Sequence, residues 1–250
     1  MNAEIEFFDC NARIGHPTVY REGQVTTKAE LLAEMDHAGI DCALVYHSIA
    51  REWCPQEGND ALGRELGGEA RLFPCFVGLP EATHELAGPD RFAEQVRELS
   101  GAVRLFPKEH NFSLSGWSTA GILGALQNRR VPVILDISQT SWDELSRLLG
   151  TYGDLPVILL DTYYRLDRYL YPLWETHDNL YLETTTYQVF RGIEAVCERF
   201  GPERLVFGTN LPDLETGGAV AQVLYAELDE TAKAAIAGGT LKRLLGIDVA

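Results

Sequence analysis

The sequence predicts an α/β fold: one (β/α)8 barrel of the TIM type spanning residues 1–250. Three observations carry this expectation. Eight short runs rich in β-branched and aromatic residues recur along the chain, each followed by a helix-like stretch. A chain of 250 residues suits one barrel of eight such units. An open doubly wound sheet would show a glycine-rich phosphate turn after an early strand, and none is present.

The strands are expected at Glu4–Arg13, Asp41–Ser48, Arg71–Leu79, Ala102–Pro107, Pro132–Ser138, Pro156–Thr162, Leu180–Thr185 and Arg204–Asn210. The stretch "TKAELLAEMDHAG" after the first strand reads as a helix, with Thr26 or Thr27 as cap and Gly39 as stop. "SWDELSRLLGTYG" after the fifth starts at Ser141, with Glu144 three residues on, the spacing of a capping box.

In such a barrel the functional groups gather at the C-terminal strand ends. Those ends are polar here. The first carries Asn11 and Arg13, the second Tyr46 and His47, and the fourth Arg104 with nearby Lys108 and His110. Asp136, Asp161 and Glu183 end the fifth, sixth and seventh, and Thr209 and Asn210 the eighth. An arginine facing the packed helix layer would be costly, so Arg104 of "AVRLF" is expected to point into the barrel. By the same alternation Asp9, Asn11 and Arg13 share one face of the first strand.

Composition narrows the function classes. The chain is 46% hydrophobic and 23% charged with a formal net charge of −16, which argues against nucleic acid or an anionic membrane as partner. It leaves a small anionic substrate open, because a ligand responds to the local charge of a pocket. The sequence has neither a long apolar span nor a basic-then-apolar leader, so a cytoplasmic protein is expected. The five cysteines are widely spaced without a CxxC pair and read as reduced thiols.

At both ends of the chain the residues resemble the amidohydrolase superfamily, in its amidohydrolase-related (amidohydrolase 2) branch. "FFDCNARIG" is similar to that branch's opening Asp-x-His-x-His strand, "AEMDHAGIDCALVY" to its second helix-to-strand segment, and "ERLVFGTNLP" to its last strand, which normally reads Gly-Ser/Thr-Asp-x-Pro. The resemblance implies a metallo-dependent-hydrolase-like barrel. Asn11 and Arg13 then stand where the family has two histidines, Asp136 and Asp161 where it usually has two more, and Asn210 at its last-strand aspartate. A guanidinium offers no lone pair to a cation, so the expected cofactor is none. A shifted divalent-metal site at Asp136, Asp161 and Glu183, with one imidazole from His110, is the alternative.

The main expectation is therefore a hydrolase of a small carboxylated lactone, ester or amide, working without metal. Arg13 and Arg104 would clamp the carboxylate, with Asn11, Glu183 and Asn210 as further substrate contacts. Asp136 or Asp161 would serve as general base, and His47 or His110 as second proton carrier. The resemblance also implies an alternative, a decarboxylase-type lyase on an aromatic acid. A third reading is a non-catalytic barrel in which Asp9, Asp136 and Asp161 pair with Arg13 and Arg104 and which binds a small anionic ligand. Barrels of this kind are often homodimers, and the sequence leaves that open.

Overall fold

The computed structural model describes residues 5–247, in which eight parallel strands follow one another around the sheet in sequence order. They are β1 (Phe8–Ile14), β2 (Cys42–His47), β3 (Leu72–Val77), β4 (Ala102–Leu105), β5 (Val133–Asp136), β6 (Val157–Leu160), β7 (Leu180–Glu183) and β8 (Leu205–Val206). Glu4, expected to open the first strand, lies outside the described residues. The barrel closes between its first and last strands: Cys10 N–H donates to the Phe207 carbonyl at 3.0 Å and Arg13 N–H to the Leu211 carbonyl at 2.9 Å. The expected (β/α)8 barrel is the observed fold.

Strand alternation builds two cores. Leu44, Tyr46, Cys75, Val77, Ala102, Phe106, Ile134, Ile158, Leu160 and Val206 fill the barrel. Their neighbours Ala43, Val45, Phe76, Val103, Leu105, Leu135, Leu159, Leu182 and Leu205 face the helix layer. That layer contains α1 (Lys28–Ala38), α2 (Ser48–Glu52), α3 (Pro55–Leu66), α4 (Pro89–Glu98), α5 (Gly116–Asn128), α6 (Trp142–Thr151), α7 (Asp167–Thr176), α8 (Gly192–Phe200) and α9 (Thr216–Leu224). Two short helices follow, α10 (Glu230–Ala234) and α11 (Thr240–Leu245), and α11 sends Leu241, Leu244 and Leu245 into the barrel-side cluster.

The local signals behave as their chemistry dictates. Thr27 caps α1 in a full capping box with Glu30, and Gly39 ends it in the left-handed region at φ 72°. Ser141 caps α6, but Glu144 does not reach back to it. Its carboxylate instead accepts from Leu114 N–H at 3.2 Å and Thr140 Oγ1 at 3.0 Å, tying the loop after β4 to α6.

One irregularity shapes the site. The β1–β2 register slips between Asp9 and Ala12, so β1 carries an extra residue there. The expected alternation of Asp9, Asn11 and Arg13 on one face is broken. Cys10 joins the barrel cluster, while Asn11 still reaches Arg104 inside the barrel.

Candidate functional site

Arg104 is the centre of the barrel interior. Alternation along "AVRLF" puts Ala102, Arg104 and Phe106 inside, and Arg104 is 4% exposed. Its Nη1 donates to Asn11 Oδ1 at 2.7 Å. The guanidinium carbon lies 4.5 Å from the centre of the Tyr46 ring and 5.1 Å from that of Phe106, so two aromatic faces hold the cation. Its Nε is buried without a hydrogen-bond partner, and no carboxylate forms an ion pair with it among the described residues. A buried guanidinium with an unmet donor is costly to keep in a protein interior.

Two carboxylates share that interior. Glu183, at the end of β7, is 1% exposed and accepts from Thr185 N–H at 2.8 Å. Burial pushes its carboxyl up from 4.5 to about 7; hydrogen bonds from Thr185 and the charge of Arg104 oppose this, and the charge of Asp9 adds to it. Asp9 is anchored more firmly. Its Oδ1 accepts from Asn11 N–H at 2.8 Å and Thr209 N–H at 3.0 Å, and its Oδ2 from Thr209 Oγ1 at 2.5 Å. Burial still lifts it from 3.8 to about 6 against those bonds. Glu183 fits only because position 208 is glycine: a Cβ there would stand 2.5 Å from Glu183 Oε1. On the loop side, Thr185 also lines a groove of about 510 Å³ with Gln188, Leu214, Ala219 and Gln222.

Of the residues expected at the site, Asn11, Arg104 and Glu183 come together, and Asn210 stands beside them with its Oδ1 3.5 Å from Asn11 Nδ2. Arg13 does not join Arg104 in a clamp. Its Nη1 donates to Ser48 Oγ and its Nη2 to Asp213 Oδ1, each at 2.9 Å, so the guanidinium latches β1 to α2 and to the segment after β8. Asp136, Asp161 and Asp9 pair with neither arginine. Asp136 Oδ1 caps the turn after β5 by accepting from Ser138 N–H at 2.7 Å. Asp161 is exposed, with φ at 58°, and its carboxyl is raised by burial and then by the charge of Asp136.

The histidines stand further out. His47 is on the outer face of β2, where its Nε2 meets Glu65 of α3 at 3.3 Å and its Nδ1 accepts from Ile49 N–H at 3.2 Å. Burial lowers its titration, with Glu65 opposing. His110 packs edge-on against Phe106, centre to centre 5.6 Å, and its Nε2 donates to the Arg51 carbonyl at 2.7 Å. Its buried Nδ1 has no hydrogen-bond partner. The sequence places Tyr46 only among the polar strand ends and Asp9 only as an ion-pair partner of the arginines, and it gives Gly208 no part. The available signals were Asp9 at the head of the strand motif and the glycine of "GTNLP".

The chain belongs to the Amidohydrolase family (Amidohydro_2), which matches it over residues 59–247. No curated protein matches it. Several solved structures share the fold at low identity. The 5-carboxyvanillate decarboxylase of Sphingomonas paucimobilis superposes with a TM-score of 0.77 at 14% identity, covering 98% of this chain and 100% of that one. A 2,6-dihydroxybenzoate decarboxylase in complex with 2,6-dihydroxybenzoate gives 0.70 at 12% identity, with 97% and 99% covered. A dihydroxybenzoic acid decarboxylase from Polaromonas, with bound manganese and the inhibitor 2-nitroresorcinol, gives 0.67 at 14% identity, with 99% and 98% covered.

These relatives correct two expectations. A barrel of the same architecture holds manganese, so the expectation of no cofactor does not stand. They also match the alternative, a lyase on aromatic acids, better than hydrolysis. The shifted metal site fares no better, because no group of three or more His, Cys, Asp or Glu able to hold a metal forms among the described residues. The interior donor set itself does not fit a divalent cation. Asn11 Oδ1 is taken by Arg104, both Asp9 oxygens are taken by protein donors, and a fixed guanidinium occupies the centre. No helix among the described residues is long and apolar enough to cross a membrane.

Proposed function

We propose that the protein is a lyase that removes the carboxyl group of a small aromatic acid as CO2, with Arg104 holding the carboxylate and Glu183 supplying the proton. The observation that carries this reading is the buried guanidinium of Arg104, which lacks a carboxylate partner among the described residues and shares the barrel interior with a carboxyl group that titrates near neutral pH. A ligand carboxylate would meet the unmet donor and replace the missing ion pair. The rings of Tyr46 and Phe106 beside the guanidinium favour an aromatic ligand body. Dihydroxybenzoate and related acids in the neighbouring structures agree with this class.

Decarboxylation exchanges a ring C–C bond for C–H. Glu183, in its acid form, delivers its proton to the ring carbon that carries the carboxylate. The C–C bond then breaks, its electron pair restores the aromatic ring, and CO2 departs; water returns a proton to Glu183. Arg104 and Asn11 bind and orient the carboxylate. That contact stabilises substrate as well as transition state, so the acceleration rests on proton delivery. A titration near 7 leaves Glu183 a usable fraction of acid at neutral pH.

Hydrolysis is the second reading, favoured by Asp136 and Asp161 at the ends of β5 and β6, whose charges act on one another. A panel of hydroxylated benzoic acids, benzoate esters and aromatic lactones separates the two. CO2 release from the acids, abolished by Arg104→Ala, supports the lyase; turnover confined to esters or lactones overturns it.

A further inference from the structure

We propose that an aromatic carboxylate binds Arg104 together with one proton, and that the proton lodges on Glu183. The inference rests on the reading of Arg104 as the carboxylate's partner and adds the charge state in which the ligand is held.

The charged groups of the barrel interior around Arg104 are few. Arg104 comes from β4, Asp9 from β1 and Glu183 from β7, at 4%, 1% and 1% exposure. The thiols of Cys10 on β1 and Cys75 on β3 are both pushed up by burial, Cys75 to about 12, so they stay neutral. Gly208 and Thr209, which follow β8, bring no charge. Arg104 is thus one fixed cation against two carboxylates.

Hydrogen bonding decides which carboxylate keeps its charge. Asp9 takes three donors, from Asn11 and Thr209. Glu183 is bonded by Thr185 alone, through its N–H on Oε1 at 2.8 Å and its side chain. Donors stabilise the ionised form, so Asp9 is the carboxylate that keeps its charge and Glu183 is where a proton is held. A ligand carboxylate on Arg104 adds a further anion to a barrel interior with one fixed cation. Like charges in a poorly solvated interior cannot all remain ionised, and the least-bonded one takes up a proton. The proton needed at the ring carbon would then arrive with the substrate.

Isothermal titration with benzoate in phosphate and in Tris, buffers of different ionisation heat, counts that proton. At about pH 8 the heats are expected to differ between buffers by the equivalent of roughly one proton per benzoate, and at about pH 5.5 by almost none. The benzoate Kd should weaken about tenfold for each pH unit above 7. Glu183→Gln should bind benzoate with buffer-independent heat and a flat pH profile. The wild-type profile stands alone if that variant fails to fold. Equal heats in both buffers at about pH 8, with benzoate bound, would overturn the proposal and leave the carboxylate site intact. No binding of benzoate or 2,6-dihydroxybenzoate at either pH would overturn the reading of the site itself, and this proposal with it.

Discussion

Replacing Glu183 by glutamine should make the protein more stable above neutral pH, an uncommon outcome for a change in a barrel interior. Moving the carboxyl from 4.5 to about 7 means that the folded protein holds its proton more tightly than the unfolded chain does. Between those two values the folded state binds more protons, so stability falls as pH rises through the window and levels off above about 7. At about 1.4 kcal/mol for each pH unit of displacement, the ionised Glu183 costs about 3 kcal/mol at pH 8. Glutamine is nearly the same shape, keeps an oxygen for the Thr185 N–H and carries no charge to desolvate. Its advantage over wild type should therefore be near zero at about pH 4.5 and grow to about 3 kcal/mol at about pH 8. Urea unfolding of both proteins at several pH values, with unchanged m, reads this difference. A constant offset across the whole range, or a variant losing ground as pH rises, would refute the placement of Glu183 as a buried, lightly bonded acid.

Other substitutions test the remaining parts. Arg104→Ala should weaken benzoate binding ten- to hundredfold, in line with about 1.5–3 kcal/mol for a charge-assisted contact, and Arg104→Lys should recover only part of it. Arg13→Ala should cost about 1–2 kcal/mol in urea unfolding, since Ser48 and Asp213 lose their shared partner, yet leave benzoate affinity within about twofold. A large loss of affinity there would restore Arg13 to the ligand. Gly208→Ala drives a methyl toward Glu183 Oε1 and should cost about 1–3 kcal/mol while shifting the pH profile of binding; unchanged stability would mean that β8 has room to move.

The barrel was legible because its signals are local and repeated. Alternation in "AVRLF" put Arg104 inside correctly, since an arginine in the helix layer would have nothing to pair with. The same rule failed on β1, where the register slip near Asn11 changes which residues face in, and a bulge leaves no clear sequence mark. Arg13 and Arg104 look equivalent in the sequence. Only the fold brings Asp213, 200 positions away along the chain, to Arg13 and leaves Arg104 without an ion pair among the described residues. His47 illustrates another limit: one residue beyond Tyr46, it takes the opposite face and meets Glu65 of α3, while Tyr46 receives Arg104. The metal question was misjudged for a different reason. The expectation rested on two strand positions alone, whereas a neighbouring structure of the same architecture holds manganese.

The central claim is tested most directly by incubating the protein in D2O with 2,6-dihydroxybenzoate labelled with carbon-13 at the carboxyl, with and without added manganese. The account predicts labelled CO2 and a resorcinol carrying one deuterium at the carbon that lost the carboxylate, with release abolished in Arg104→Ala and strongly slowed in Glu183→Gln. Unchanged label with every hydroxylated benzoic acid tried, or CO2 release that persists in Arg104→Ala, would contradict it.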